Sequence, residues 1–217
     1  MTDDRSRAPA GKAADPLTRK KKEAARAAAA LVRPGMRLGL GTGSTVMPFL
    51  EIIAGIDGVR GTATSAATAA RAKELGIALD PLSGRYDLCV DGADQVTPGL
   101  DLVKGGGGAH VRENLVARLS DRIVIVCDDS KLVDRLSGPV PVAVLPFAAG
   151  LYEGARPRLD DNGLVVCDIP AGVIDDPEAW DAEMCRRPGV VATGIYPGRW
   201  IERVLIAGDE GVHELTA

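Results

Sequence analysis

Short apolar runs alternate with longer stretches of helical spacing through the first 127 positions, and that alternation predicts a parallel α/β sheet with Rossmann-like layering. The spacing predicts a helix over 20–32, a strand over 37–41, a helix over 46–53 and a short strand near 61–64. A helix over 66–75, a strand over 87–90, a helix over 111–119 and a strand over 122–127 follow. Beyond Gly138 the pattern changes: Pro139 to Pro146 reads as an edge strand, 163–168 as another, 177–185 as a short helix and 190–195 as a strand, together a small α+β unit. The run Arg203 to Ala207 with Gly208-Asp209-Glu210-Gly211 reads as a hairpin.

Composition narrows the class. With 217 residues the chain can bury a substantial core, as one domain or as a large and a small one. No apolar run approaches the roughly 20 residues that span a membrane. Met1 to Pro16 is polar and rich in Ala, Gly and Pro, so it reads as a disordered tail rather than a signal peptide, and a cytoplasmic location is expected. A net charge of -4 argues against broad nucleic-acid binding and leaves room for a local cationic pocket. Cys89, Cys127, Cys167 and Cys185 are widely spaced, with only His110 and His213 as imidazole partners, which argues against a zinc site. Reduced, buried thiols are expected, since Cys89 and Cys127 lie inside apolar strand-like runs.

The chemistry concentrates after the strand that ends at Val90. Asp91-Gly92-Ala93-Asp94 sets two carboxylates at a strand's carboxyl end, the edge where open α/β sheets bind ligands. Ten residues beyond Asp94 comes Lys104-Gly105-Gly106-Gly107-Gly108, then Arg112-Glu113 one turn into a helix. Four glycines carry no Cβ, so successive N–H groups can converge on an anion beside the Lys104 charge and a helix N-terminus. Taken singly, these features are ordinary surface turns, a solvated lysine and a dipole partner. Taken in this order, they can bind an anionic oxygen and move a proton beside it, as carbonyl isomerisation requires.

A second glycine loop lies upstream, where the strand-like run to Leu40 meets Gly41-Thr42-Gly43-Ser44-Thr45 and a helix opens at Val46. Strand, Gly/Ser/Thr loop and helix form a phosphate cradle. The lysine of a P-loop is missing and Val46 stands where G-x-G-x-x-G needs its third glycine, so a monophosphate fits better than a nucleotide. Thr64-Ser65-Ala66-Ala67-Thr68 opens a further helix, its hydroxyls either capping that helix or touching ligand. His110, in the same segment, could contact a substrate, but at a helix start it is rather expected to face solvent.

Gly41-Thr42-Gly43-Ser44-Thr45, Asp91-Gly92-Ala93-Asp94, Lys104-Gly105-Gly106-Gly107 with Arg112-Glu113, and Asp129-Ser130-Lys131 resemble, in order and spacing, the motif set of the type A ribose-5-phosphate isomerase family, from about Leu17 to Pro146. The resemblance implies interconversion of ribose 5-phosphate and ribulose 5-phosphate through an enediolate, with no metal or other cofactor. It implies Glu113 as the base between C2 and C1, Asp91 as the group that opens the sugar ring and passes a proton between oxygens, and Lys104 with the amides of Gly105 to Gly107 as stabilisers of the enediolate. Thr42, Gly43, Ser44, Thr45 and Lys131 would hold the phosphate end and hydroxyls, with Gly92 and Ala93 beside them. Asp94 would bind a hydroxyl, and Lys21 aligns with a lysine that can face the phosphate, although Lys20 and Lys22 flank it. The implied organisation is a tail over 1–16, a Rossmann-like catalytic domain over 17–137 and 203–217, and a small ferredoxin-like α+β domain over 138–202. The implied partners are a sugar phosphate and further copies of the chain in a homodimer or homotetramer, with no nucleic acid and no membrane.

One segment departs from the family. Between Pro146 and Asp161 only 14 residues remain, whereas a helix and a strand of average size need about 17 before turns are counted. One helix is therefore expected to be lost or greatly shortened, which bears on assembly and substrate choice. The same chemistry on a modified pentose phosphate is the alternative this trimming supports. A non-enzymatic sugar-phosphate sensor is opposed by the presence of Glu113 and Lys104 and by a tail too short for a DNA-binding domain. A CoA-transferase-like enzyme would need an acyl-CoA site for which no residues are seen.

Overall fold

A computed structural model describes residues 15–152 and 158–216. In chain order the elements are α1 (Pro16–Ala29), β1 (Arg37–Leu40), α2 (Val46–Ile53), β2 (Arg60–Ala63), α3 (Ala66–Glu74), β3 (Ala78–Leu79), β4 (Leu88–Asp91), β5 (Gln95–Val96), β6 (Leu102–Val103) and α4 (His110–Arg118). They continue with β7 (Ile123–Asp128), β8 (Val140–Val144), β9 (Arg158–Leu159), β10 (Val165–Ile169), α5 (Pro177–Cys185), β11 (Val190–Thr193), β12 (Ile195–Tyr196), β13 (Arg203–Gly208) and β14 (Gly211–Thr216).

Seven strands form one sheet in the order β14-β13-β7-β4-β1-β2-β3, parallel except for β14, which returns on β13 as a hairpin. The two-residue period of the strands sorts their side chains into two cores. Leu88 and Val90 of β4 join Val124 and Val126 of β7 against α1 and α2, where α1 presents buried Ala24, Ala25, Ala28 and Ala29 and α2 presents Phe49, Leu50 and Ile53. Cys89, Ile123, Ile125 and Cys127 point the other way, onto Val116 and Ala117 of α4. A second, antiparallel sheet has the order β11-β8-β10-β9, one face covered by Met184 and Trp180 of α5 and by Ala148 and Tyr152. A third, small sheet, β12-β6-β5, pairs one strand from late in the chain with two from its first half.

Several boundaries differ from those the pattern predicts. Helix α1 starts at Pro16 rather than at 20, because Asp15 accepts a hydrogen bond from the Thr18 N–H and Pro16 occupies the first turn. Pro16 thus belongs to the helix and Asp15 caps it; the remainder of the predicted tail, 1–14, lies outside the described residues. Strand β8 is interior, not an edge. Its Pro141 is tolerated because the Pro141 carbonyl accepts from Gly194 N–H, so the ring nitrogen points to that same side, past the end of β11, and no bond to β10 is lost. The strand expected over 190–195 divides at Gly194 into β11 and β12, which serve different sheets. In the shortened segment a 3-10 turn, Pro146–Leu151, follows β8, and β9 begins at Arg158; residues 153–157 lie outside the described residues.

Candidate active site

Strands β1, β4 and β7 are neighbours in the large sheet, and the chain leaving each contributes to one cavity of about 220 Å³. From the strand ends come Thr42, Gly43, Ser44 and Thr45, then Gly92, Ala93 and Asp94, then Lys131. Lys104, Gly105, Gly106 and Gly107 and the first turn of α4, with Glu113, form the facing wall, and α1 adds Lys21. Of the residues to which the resemblance gives a role at the substrate, Asp91 alone is absent from the lining: it is buried beneath it.

Lys104 is the centre of this arrangement. Its Nζ stands 3.0 Å from Asp91 Oδ2 and 3.7 Å from Glu113 Oε2, and it donates a hydrogen bond to the Gly92 carbonyl. Asp91 Oδ1 accepts from the N–H groups of Thr42, at 3.0 Å, and Gly92, at 2.8 Å, so this carboxylate fastens the loop after β1 to the end of β4. Gly41 makes the approach feasible, since a Cβ there would overlap the Asp91 carboxylate. Glu113 is buried, and its Oε2 has no hydrogen-bond partner among the described residues. Burial, helped by the Asp91 charge and partly offset by Lys104, lifts its pKa to about 8. Burial alone would lower the Lys104 pKa, but Asp91 and Glu113 outweigh it and keep the ammonium charged.

The glycine loop is held from both sides. Gly106 N–H donates to Asp94 Oδ2 at 2.9 Å, and Lys104 N–H donates to the Gly194 carbonyl at 2.8 Å. Gly105 has φ +92°, and its Cα lies against the His110 side chain with no room for a Cβ. His110 is therefore fully buried, contrary to the solvent-facing position expected for it, because the loop curls back over the start of α4. Burial pulls the imidazole pKa down to about 4, so the ring is neutral at physiological pH.

The loop after β1 leaves the hydroxyls of Ser44 and Thr45 to the cavity, whereas that of Thr42 is bonded to Thr64: Thr45, the N-cap of α2, makes no side-chain capping bond, and Ser44 is exposed. The third polar loop supports it from behind. Ser65 caps α3 through the Thr68 N–H, Thr68 Oγ1 donates to the Gly41 carbonyl, and Thr64 bonds Thr42, so the capping reading of this loop holds. Lys20 is engaged by Asp129 at 2.8 Å and Asp209 at 3.0 Å, whereas Lys21, rotated by one residue, lines the cavity. Among the described residues neither Lys21 nor Lys131 pairs with a carboxylate, so the cavity carries two uncommitted cations.

Leu17, Cys127, Asp128 and Ser130 also line the cavity, and the sequence reading gives none of them a role there. Asp128 was findable, because it ends β7 as Asp91 ends β4; it accepts from the Ser130 N–H at 3.1 Å and from the Ser130 hydroxyl. Leu17 lies one helical turn before Lys21 and so shares its face. Among the described residues no group of three or more His, Cys, Asp or Glu side chains could hold a metal ion, and no helix is long and apolar enough to cross a membrane. A buried carboxylate of raised pKa beside an ammonium and a ring of amides can remove a proton next to a carbonyl and stabilise the resulting oxyanion.

The profile of the ribose 5-phosphate isomerase A (phosphoriboisomerase A) family matches residues 60–211. Ribose-5-phosphate isomerase A of Deinococcus radiodurans is 39% identical over 90% of this chain and 97% of its own length, and that of Thermomicrobium roseum is 42% identical over 91% and 93%. Among solved structures, ribose 5-phosphate isomerase A of Methanocaldococcus jannaschii superposes with a TM-score of 0.85 at 32% identity, covering 92% of this chain and 99% of that one. A D-ribose-5-phosphate isomerase in complex with phospho-erythronic acid superposes with a TM-score of 0.87 at 30% identity, covering 94% and 100%. With sequence and fold in agreement over nearly its whole length, the chain belongs to the ribose 5-phosphate isomerase A family.

Proposed function

We propose that this protein interconverts D-ribose 5-phosphate and D-ribulose 5-phosphate through an enediolate, with Glu113 as the base. The observation that carries this reading is Glu113 Oε2, buried, unpartnered among the described residues and 3.7 Å from the Lys104 ammonium. Such a carboxylate can take the proton from C2 and return it to C1. Lys104 and the amides of Gly105 to Gly107, of which that of Gly106 is shared with Asp94, offer charge and donors to the enediolate oxygens. Asp91 has Oδ1 tied to two backbone N–H groups and lies beneath the lining, so its part in ring opening and proton transfer between O1 and O2 falls to Oδ2 by way of Lys104, 3.0 Å away. Asp94 is exposed and suited to a sugar hydroxyl, while Ser44, Thr45, Lys131 and Lys21 suit the phosphate end. The ligand of the related isomerase, phospho-erythronic acid, joins a phosphate to a planar carboxylate, and an enediolate is likewise planar and anionic.

A second reading keeps the chemistry and changes the sugar to a modified pentose phosphate; the short turn Pro146–Leu151 favours it. Assembly into a homodimer or homotetramer is part of the same proposal, supported by the wholly exposed Phe147 and by Leu151 on that turn. The deciding experiment is turnover of ribose 5-phosphate by the purified protein beside Glu113→Gln and a panel of other aldose phosphates. Glu113→Gln should still bind phospho-erythronic acid while turnover falls by about 10²–10⁴-fold. Near-normal turnover by this variant would overturn the assignment, and turnover of another aldose phosphate alone would favour the second reading.

A further inference from the structure

Helix α4 carries Glu113 in its first turn, yet it lacks the usual local means of fixing a helix start. Its N-cap is Ala109, with no side-chain cap, and four glycines precede that residue. Among the described residues the Glu113 carboxylate is itself anchored only by the 3.7 Å approach to Lys104. Its neighbour Arg112, rotated about 100° around the helix, points away from the cavity to the turn between β9 and β10. There Nε donates to Asn162 Oδ1 at 2.7 Å and Nη2 donates to the Asp161 carbonyl at 2.9 Å.

That turn is itself rigid. Asp160 accepts from Asn162 N–H at 2.7 Å, Asn162 Nδ2 at 2.9 Å and Leu164 N–H at 2.8 Å. Asp161 Oδ2 accepts from Ala66 N–H, the first residue of α3, at 2.6 Å. A single turn of the four-stranded sheet therefore grips the starts of two helices that belong to the seven-stranded one. We infer that Arg112, clasped by Asp161 and Asn162, is a positioning residue that sets the distance between Glu113 and Lys104. The inference rests on Glu113 being the base of the isomerase reading.

Arg112→Met keeps the stem and removes the fork; Asn162→Ala removes one acceptor; Arg112→Lys leaves a single point donor that cannot span both. In steady-state assays with ribose 5-phosphate, kcat should fall about 10–100-fold in Arg112→Met and Asn162→Ala, with Arg112→Lys intermediate and KM within about threefold of the parent. The double variant should be no slower than the slower single one, because one clasp is broken once. A loosened α4 admits water to Glu113, so the rise of kcat/KM with pH should move toward acid in both single variants, an effect that lost stability alone would not produce. Unchanged kcat and an unchanged pH profile in both singles would overturn the inference, as would losses confined to KM or losses that multiply in the double variant. If Arg112→Met does not fold, Asn162→Ala decides by the same readings, since it leaves the bond to the Asp161 carbonyl. An inactive parent, or a fully active Glu113→Gln, would instead remove the isomerase reading beneath it.

Discussion

At the scale of single residues, Glu113 couples folding to turnover. In the unfolded chain it releases its proton near the ordinary 4.5, whereas the folded protein holds that proton to about 8. Between those values the folded state binds one more proton, so its stability declines as pH rises through the window, and the contribution present below the lower value is lost. A base must be ionised to act, so kcat/KM should climb over the upper part of the same window, from about pH 6 to 8. Glu113→Gln cannot ionise, and its thermal midpoint should gain on the parent progressively between about pH 5 and 8; parallel midpoints across that range would contradict the raised pKa. The residue types needed for this chemistry are legible in the sequence, because strand ends and glycine runs mark where they gather. Which of Lys20, Lys21 and Lys22 meets the cavity is not, since the choice depends on Asp129 and Asp209, far along the chain. The burial of His110 was hidden for the same reason: the loop that covers it closes only in three dimensions.

At the scale of elements, the loops after β1 and β4 are packed to contact, and Gly41 is the point of least tolerance. Gly41→Ala would drive a methyl into the Asp91 carboxylate, which also holds Thr42, Gly92 and Lys104. A loss of about 1–3 kcal/mol of stability, the usual cost of overpacking, is expected together with a fall in kcat; chemical denaturation and assay of the same preparation would check both. The long elements were readable because a period of 2.0 or 3.6 needs only a few residues to declare itself. Strands β3, β5, β6 and β9 have two residues each, too few to show any period. The misplacement of β8 at an edge came from reading proline as an edge residue, when the partner strand simply ends beside Pro141.

For the whole molecule, motif order and the rule that open sheets bind ligands at strand carboxyl ends sufficed to place the cavity. The hold of the four-stranded sheet on the start of α4 was not legible, because Asp161 and Asn162 meet Arg112 from about 50 residues away by the pairing of strands rather than by any local pattern. The same sheet carries the exposed Phe147, and Phe147→Asp is expected to give smaller species in sedimentation velocity if copies of the chain meet there. An unaltered assembly would locate the contact on another face.

Among the described residues, every one that lines the active cavity lies between Leu17 and Lys131, yet α1 packs against β7 and β13, and Lys20 is tied to Asp209. During translation the full set of reactive groups thus leaves the ribosome well before β13, one of the two strands on which their first helix docks. At 5–20 residues per second the interval from Lys131 to Asp209 is roughly 4–16 s. Over that time the nascent chain holds the groups for the reaction without β13 and β14, and α1 gains its last partners only when those strands are made.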